Sequence, residues 1–225
     1  MSALKLANLP ESTRRLAETS PTLPEGVRPS GPRGIVLDAA LRLFAEHGFA
    51  GASIRDIAQA AGVQPATFYA HYPSKEHLLA DLIRIGHEAH HQRLRAALLD
   101  SSPDPRQQLM AYVRAHVRMH CELSMLAIVA NSELHVLNAE LAGPAATLRE
   151  QSTQLLAEVI ERGRRAGVFS VPDTWLAVAA IGGMGLRVAY WFSSHHELSA
   201  ETVADTYAQF ACRIVGVHDS NGVQK

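Results

Sequence analysis

Between Gly34 and Leu79 the apolar residues keep a helical period, but glycine and proline cut it into pieces too short for anything except a compact cluster of small helices. Leu37, Ala40, Leu41 and Phe44 stand at i, i+3, i+4 and i+7 before Gly48, which predicts a first helix of about four turns. Ser53 and Asp56 form an S-x-x-D start, and Ile54, Ile57, Ala58 and Ala61 carry a short second helix to Gly62. Pro65 suits a first helical position, and the run through His71 ends where Tyr72-Pro73 forces an extended exit. Ser74 then caps a longer helix that reaches about Leu99. Beyond Pro105 further helical stretches are predicted near residues 106–121, 123–134, 139–166, 173–194 and 199–216, with no competing strand pattern. The expected fold is all-α.

Length and charge restrict what such a fold can do. The 225 residues are 47% apolar, enough to bury a core, while 19% charged lies below the roughly 25% of ordinary domains, so apolar surface is expected inside or against a second copy. A net charge of -1 excludes a polybasic protein, so any nucleic-acid contact must be local. Cys121 and Cys212 have no pairing spacing, which fits a reducing cytoplasm. Met1 to Leu9 holds no signal-length apolar run, and Trp175 to Phe192 is interrupted by Arg187 and glycines, so neither export nor membrane insertion is expected. A phosphate-binding glycine loop, HExxH and G-x-S-x-G are all missing, so the chain reads as neither an enzyme nor a cofactor carrier. The expected division is a flexible arm over 1–32, rich in proline, a helix-turn-helix over 33–79, a ligand-binding and dimerisation domain over 80–217, and a flexible tail over 218–225.

A helix-turn-helix needs two helices at a steep angle and a small third one free to enter a major groove, and the Gly62 turn supplies that geometry. Phe68 is assigned to packing, and Gln64, Thr67, Tyr69 and His71 to contact. The run G-I-V-L-D-A-A-L-R-L-F from Gly34, continued in register to T-F-Y-A-H-Y-P-S-K-E-H-L-L at Leu79, resembles the N-terminal domain of the TetR family of bacterial transcriptional repressors. The resemblance implies a homodimer that binds a palindromic double-stranded DNA operator and carries a C-terminal domain for ligand binding and dimerisation. Carried over by position, Ser53 and Arg55 look like phosphate contacts, Gln64, Ala66, Thr67 and Tyr69 match recognition-helix positions, His71 a backbone-contacting one, and Lys75 the basic residue that grips phosphate. Arg28 and Arg33 are expected to add charge. Pro65 and Ala66 depart from the family pattern, which often has a basic or small polar residue and then Gly. The alternative is a small helical bundle in which Phe68, Tyr69 and Tyr72 are core aromatics, since Arg33, Arg42, Arg55 and Lys75 cancel against Asp38, Glu46, Asp56 and Glu76.

In the C-terminal half, Trp175 to Phe192 is apolar nearly all round, which predicts cover from its own core and from a second subunit. Val203, Thr206, Tyr207, Phe210, Ala211 and Ile214 offer a partner stripe for a four-helix dimer interface. Gly182, Gly183 and Gly185 are read as close-packing positions, with ligand volume as the alternative. His116, His120, Asn131, Arg149, Arg187 and Trp191 are candidate ligand-binding residues, because polar groups inside apolar helices need partners. The segments A-I-V-A-N-S-E-L, E-R-G-R-R-A-G-V-F and G-G-M-G-L-R-V-A-Y-W-F look like a TetR subgroup that represses fatty-acid or steroid-ring degradation and responds to acyl-CoA thioesters. Tyr190 stands where that pattern has Arg, and Arg187 lies one turn earlier. A small-molecule effector, an acyl-CoA by this resemblance, is therefore expected, the alternatives being a hydrophobic drug-like compound or a metal ion. For metal, His87, His90 and His91 share one helical face and His116 and His120 are four apart, but no Cys or acid pattern completes a site, so core or solvated histidines are the favoured reading and no metal site is assigned.

Overall fold

A computed structural model describes residues 22–24, 26–193 and 197–217. The expected arm through residue 21, the tail over 218–225 and the polar turn at His195 and His196 lie outside these residues. The described chain is helical apart from turns and a single antiparallel bridge between Phe169 and Val217. Among the described residues no helix is long and apolar enough to cross a membrane.

Helix α1 (Pro32–His47) begins two residues before Gly34, because the fixed φ of Pro32 suits a first turn, and it stops at Gly48, whose φ of 71° disfavours a side chain. Helix α2 (Ile54–Ala60) has the predicted capping box: the Asp56 amide donates to Ser53 Oγ at 3.1 Å and the Ser53 amide to Asp56 Oδ2 at 3.0 Å. Helix α3 (Pro65–Tyr69) is barely more than one turn, entered from the extended Gln64. Helix α4 (Lys75–Leu99), α5 (Pro105–Glu122), α6 (Ser124–Ser132), α7 (Ala139–Arg165), α8 (Thr174–Trp191) and α9 (Ala200–Ile214) follow, with a 3-10 turn at Leu134–Val136 after α6.

The Cα positions group into two compact units. The first holds the described residues through Glu88, with Leu123–Ala146 and Ala189–Ser193. Its core is formed by Leu37, Leu41 and Phe44 of α1, Ile57 of α2, Phe68 of α3 and Leu78, Leu79 and Leu82 of α4, all at most 2% exposed. Helix α6, buried from Ser124 through Ala130, packs in this unit against α1, and Gly86 of α4 lies against Leu126 and Ala130. The three-helix head thus shares its core with α6.

The second unit holds Ala89–Glu122, Thr147–Val188 and residues 197–217. Helices α5 and α9 form its main pair, with Val203, Ala204, Ala208 and Ala211 buried on α9. Ion pairs Arg114–Asp205 (2.6 Å) and Arg118–Glu201 (3.2 Å) flank the same pairing. After Gly167 the chain turns back, so that the Phe169 ring lies on Gly163, where a Cβ would stand 2.1 Å from it. That contact accounts for the glycine in E-R-G-R-R.

Candidate nucleic-acid interface and histidine cluster

The single turn of α3 separates its residues cleanly. Phe68 is fully buried, with its ring 5.5 Å from Tyr69 and 6.0 Å from Tyr72. Tyr69 is 57% exposed, Gln64, Ala66 and His71 are exposed, and Thr67 is half-buried. The bland bundle reading required Tyr69 in the core, and it is outside. Tyr72 is inside, and its hydroxyl donates to Asp81 Oδ2 at 2.8 Å. Burial pushes the Tyr72 phenol up to about 12.

Ser53, Arg55, Tyr69 and Lys75, singled out separately in the sequence, line one surface depression with Ile54, Pro73, Ser74 and Glu76. Within it the hydroxyl of Ser53 donates to Asp56 Oδ2 at 2.6 Å, so its proton serves the cap. Lys75 Nζ donates to the carbonyls of Phe49 (2.8 Å) and Ala52 (2.7 Å) and lies 4.0 Å from the Phe49 ring centroid. Two of the three ammonium protons thus fasten the loop between α1 and α2 to the start of α4, leaving one for a phosphate. Arg55 is exposed, and among the described residues no hydrogen bond or ion pair holds its guanidinium. A hydrogen bond from Ser74 holds the Glu76 carboxyl below its usual value, so the rim also carries a negative charge.

The two arginines near the arm are already engaged. Arg28 pairs with Asp38 at 2.6 Å. Arg33 donates to Asp81 at 2.9 Å and to the Tyr72 hydroxyl at 3.2 Å. Burial alone would raise the Asp81 carboxyl, but hydrogen bonds from Arg84, Tyr72 and Arg33 hold it below the ordinary range. Neither arginine is available to phosphate without giving up a carboxylate.

The candidate ligand residues are divided between the two units. In the second unit His116 and His120 meet, and His90 joins them: the ring of His116 lies 5.0 Å from that of His90 and 4.5 Å from that of His120. Gly185 makes room for His116, since a Cβ there would stand 2.2 Å from its Cδ2. Burial, with the neighbouring His120, pulls the His116 ring down to about 3, so it is neutral. Arg149 and Arg187 are exposed on α7 and α8 of the same unit. In the first unit Asn131 donates to the Ala127 carbonyl at 2.7 Å, and the half-buried Trp191 lies edge-on to Phe192.

The three histidines expected on one face of α4 have separate partners. His87 Nε2 faces the Ala130 carbonyl at 3.3 Å, His90 Nε2 faces His116 Nδ1 at 2.8 Å, and His91 Nδ1 faces Ser152 Oγ at 3.1 Å. The spacing of His116 and His120 pointed to this region. Nothing in the local sequence marks His90 as their third member. Both thiols are free, and burial pushes Cys121 up to about 12.

Helix α9 divides its expected dimer stripe. Val203 and Ala211 are spent inside the unit, whereas Thr206, Phe210 and Ile214 stay exposed. On α8, Trp175 (67%) and Leu176 (65%) are exposed while Ala177, Val178 and Ile181 are buried.

Comparison with known proteins finds two matching family profiles. One, described as bacterial regulatory proteins of the tetR family, covers residues 36–82. The other, tetracyclin repressor-like C-terminal domain, covers residues 102–215. The HTH-type transcriptional repressor KstR2 of Rhodococcus jostii is 29% identical over 180 residues, which are 79% of this chain and 88% of that protein. The crystal structure of a tetR-family bacterial regulatory protein from Rhodococcus RHA1 is 32% identical, with a TM-score of 0.78 over 85% of this chain and 100% of that one. AibR, solved in complex with isovaleryl coenzyme A and operator DNA, shares the fold at a TM-score of 0.72 with 22% identity, over 81% of this chain and 97% of that one.

Proposed function

Because the chain belongs to the TetR family of bacterial transcriptional regulators, which bind DNA and are not enzymes, we propose that it is a homodimeric, ligand-responsive repressor reading a palindromic operator with the outward side of α3. The observation that carries this reading is the division of α3: Phe68 anchors it in the core, so Gln64, Ala66, Thr67, Tyr69 and His71 are left for the duplex. Base edges would be met by Gln64, Thr67 and Tyr69, and phosphates chiefly by Arg55, helped by the remaining proton of Lys75. Arg33 and Ser53 then act through the head: the first by tying α1 to α4, the second by capping α2.

Dimerisation is supported by the exposed apolar side chains Trp175, Leu176, Phe210 and Ile214, which a single copy leaves in water. A twofold pair would set the two α3 helices about one turn of DNA apart, roughly 34–36 Å. An effector releases the operator if it binds the other spacing more tightly, since equal affinity for both shifts nothing. For the effector we infer an acyl-CoA thioester and, with it, control of fatty-acid or steroid degradation, on the resemblance of the C-terminal segments and the KstR2 likeness. His116, His120, Asn131, Arg149, Arg187 and Trp191 are the residues proposed to meet it, in a domain over residues 80–217. An intracellular, cytoplasmic location follows from this role.

Fluorescence anisotropy on a duplex from the gene's own upstream region tests the reading. Binding should weaken steeply with salt and more than tenfold in Tyr69→Ala, and an acyl-CoA series should raise the melting temperature and release the duplex. Unchanged affinity in Tyr69→Ala would overturn the site. Insensitivity to every acyl-CoA would overturn the effector alone.

A further inference from the structure

His90 of α4 and His116 and His120 of α5 bring one nitrogen each to within 4.8 Å of one another. His116 and His120 are buried, and His90 is half-buried. Their surroundings fix the tautomers. A carbonyl oxygen only accepts, so His120 Nδ1, 2.7 Å from the His116 oxygen, carries a proton and leaves the lone pair on Nε2. By the same argument His116 Nε2, 3.2 Å from the Gly182 oxygen, is protonated and its Nδ1 holds the lone pair. That Nδ1 lies 2.8 Å from His90 Nε2, which therefore donates to it. Two of the three imidazoles are thus oriented by backbone carbonyls, the arrangement that sets metal-ligating histidines in the required tautomer. Gly185 is the opening in α8 that seats the His116 ring.

We propose that His90 Nε2, His116 Nδ1 and His120 Nε2 bind one divalent transition-metal ion of the zinc class, which takes the place of the proton shared between His90 and His116. On binding, His90 gives up its Nε2 proton and carries one on Nδ1, so all three ligands stay neutral and no net proton is released. Zinc–nitrogen distances of about 2.0–2.1 Å in a tetrahedron place ligand nitrogens about 3.3 Å apart, so the His90–His116 pair opens by roughly half an ångström while His120 closes in. Three imidazoles leave the fourth position open, and the uncompensated double charge in a buried place favours an anionic oxygen there.

The full-length protein, stripped with a chelator and dialysed, should take up one Co2+ per chain with the visible absorption of a four-coordinate ion, and Zn2+ should displace it while Mg2+ should not. His90→Ala, at a half-buried position, should weaken Zn2+ binding by about 100-fold or more, as should His116→Ala/His120→Ala. His91→Ala should bind like the unaltered protein. Helix content by circular dichroism separates loss of the site from loss of the fold, and His90→Ala alone decides if the double variant unfolds. Equal Zn2+ affinity in His90→Ala and the unaltered protein, less than one ion per chain, or equal competition by Mg2+ would overturn the site. The measurement uses no DNA, so its failure leaves the repressor reading untouched.

Discussion

Gly185→Ala should destabilise this protein, although alanine is the better helix former. In an open helix the change would gain about 1 kcal/mol. Here the new Cβ would stand 2.2 Å from His116 Cδ2 and 2.3 Å from Nε2, well inside van der Waals contact. The ring has little freedom to yield: it is 3% exposed, and its two nitrogens face the Gly182 oxygen and His90 Nε2. Overpacking of this kind costs about 1–3 kcal/mol, and a buried ring forced off its carbonyl costs about 1–3 kcal/mol more. Less the helical gain, the net loss is roughly 1–5 kcal/mol. Urea denaturation followed by circular dichroism, at one protein concentration because an oligomer's stability depends on it, reads the difference. In a His116→Ala background the same Gly185→Ala change should be neutral or gain up to about 1 kcal/mol, so the double-mutant cycle should return a large coupling. A Gly185→Ala protein as stable as the unaltered one, or a coupling near zero, would refute the packing argument.

The same histidine predicts an acid-sensitive stability. Its ring titrates near 6.5 when unfolded and at about 3 when folded, so the folded state binds fewer protons in between. Its contribution is therefore complete above pH 6.5 and is lost as pH falls toward 3. Between pH 7 and 4.5 this ring should remove roughly 3 kcal/mol of stability, an amount missing from the pH profile of His116→Leu; identical profiles would contradict it. At the exposed apolar patch, Trp175→Glu/Leu176→Glu should shift the sedimentation coefficient from dimer to monomer, and an unshifted dimer would move the interface elsewhere.

The helices were legible because their signals are local. Gly48, Gly62 and Gly167 have φ of 71°, 66° and 70°, and the Ser53–Asp56 box closes within one turn. The helix-turn-helix reading put Phe68 inside and Tyr69 outside, where the bundle alternative had both in the core, and the burial of the two follows the former. What the sequence hid is long-range pairing. Arg33 reaches Asp81 and Tyr72, 48 and 39 positions away, and Lys75 reaches Phe49 and Ala52, 26 and 23 positions back. Cations that read as free phosphate contacts are therefore part of the frame, and Arg55 alone among them has no such partner among the described residues. His90 finds His116 across 26 positions, and the tertiary packing decides which face of α4 each histidine serves.

Nuclease footprinting of the purified protein on its own upstream DNA tests the central claim most directly. The account predicts a twofold-symmetric protected region with half-site centres about one helical turn apart, erased by Tyr69→Ala while that variant keeps its melting temperature within a degree or two. A protected region without symmetry, or one that survives Tyr69→Ala unchanged, would contradict it.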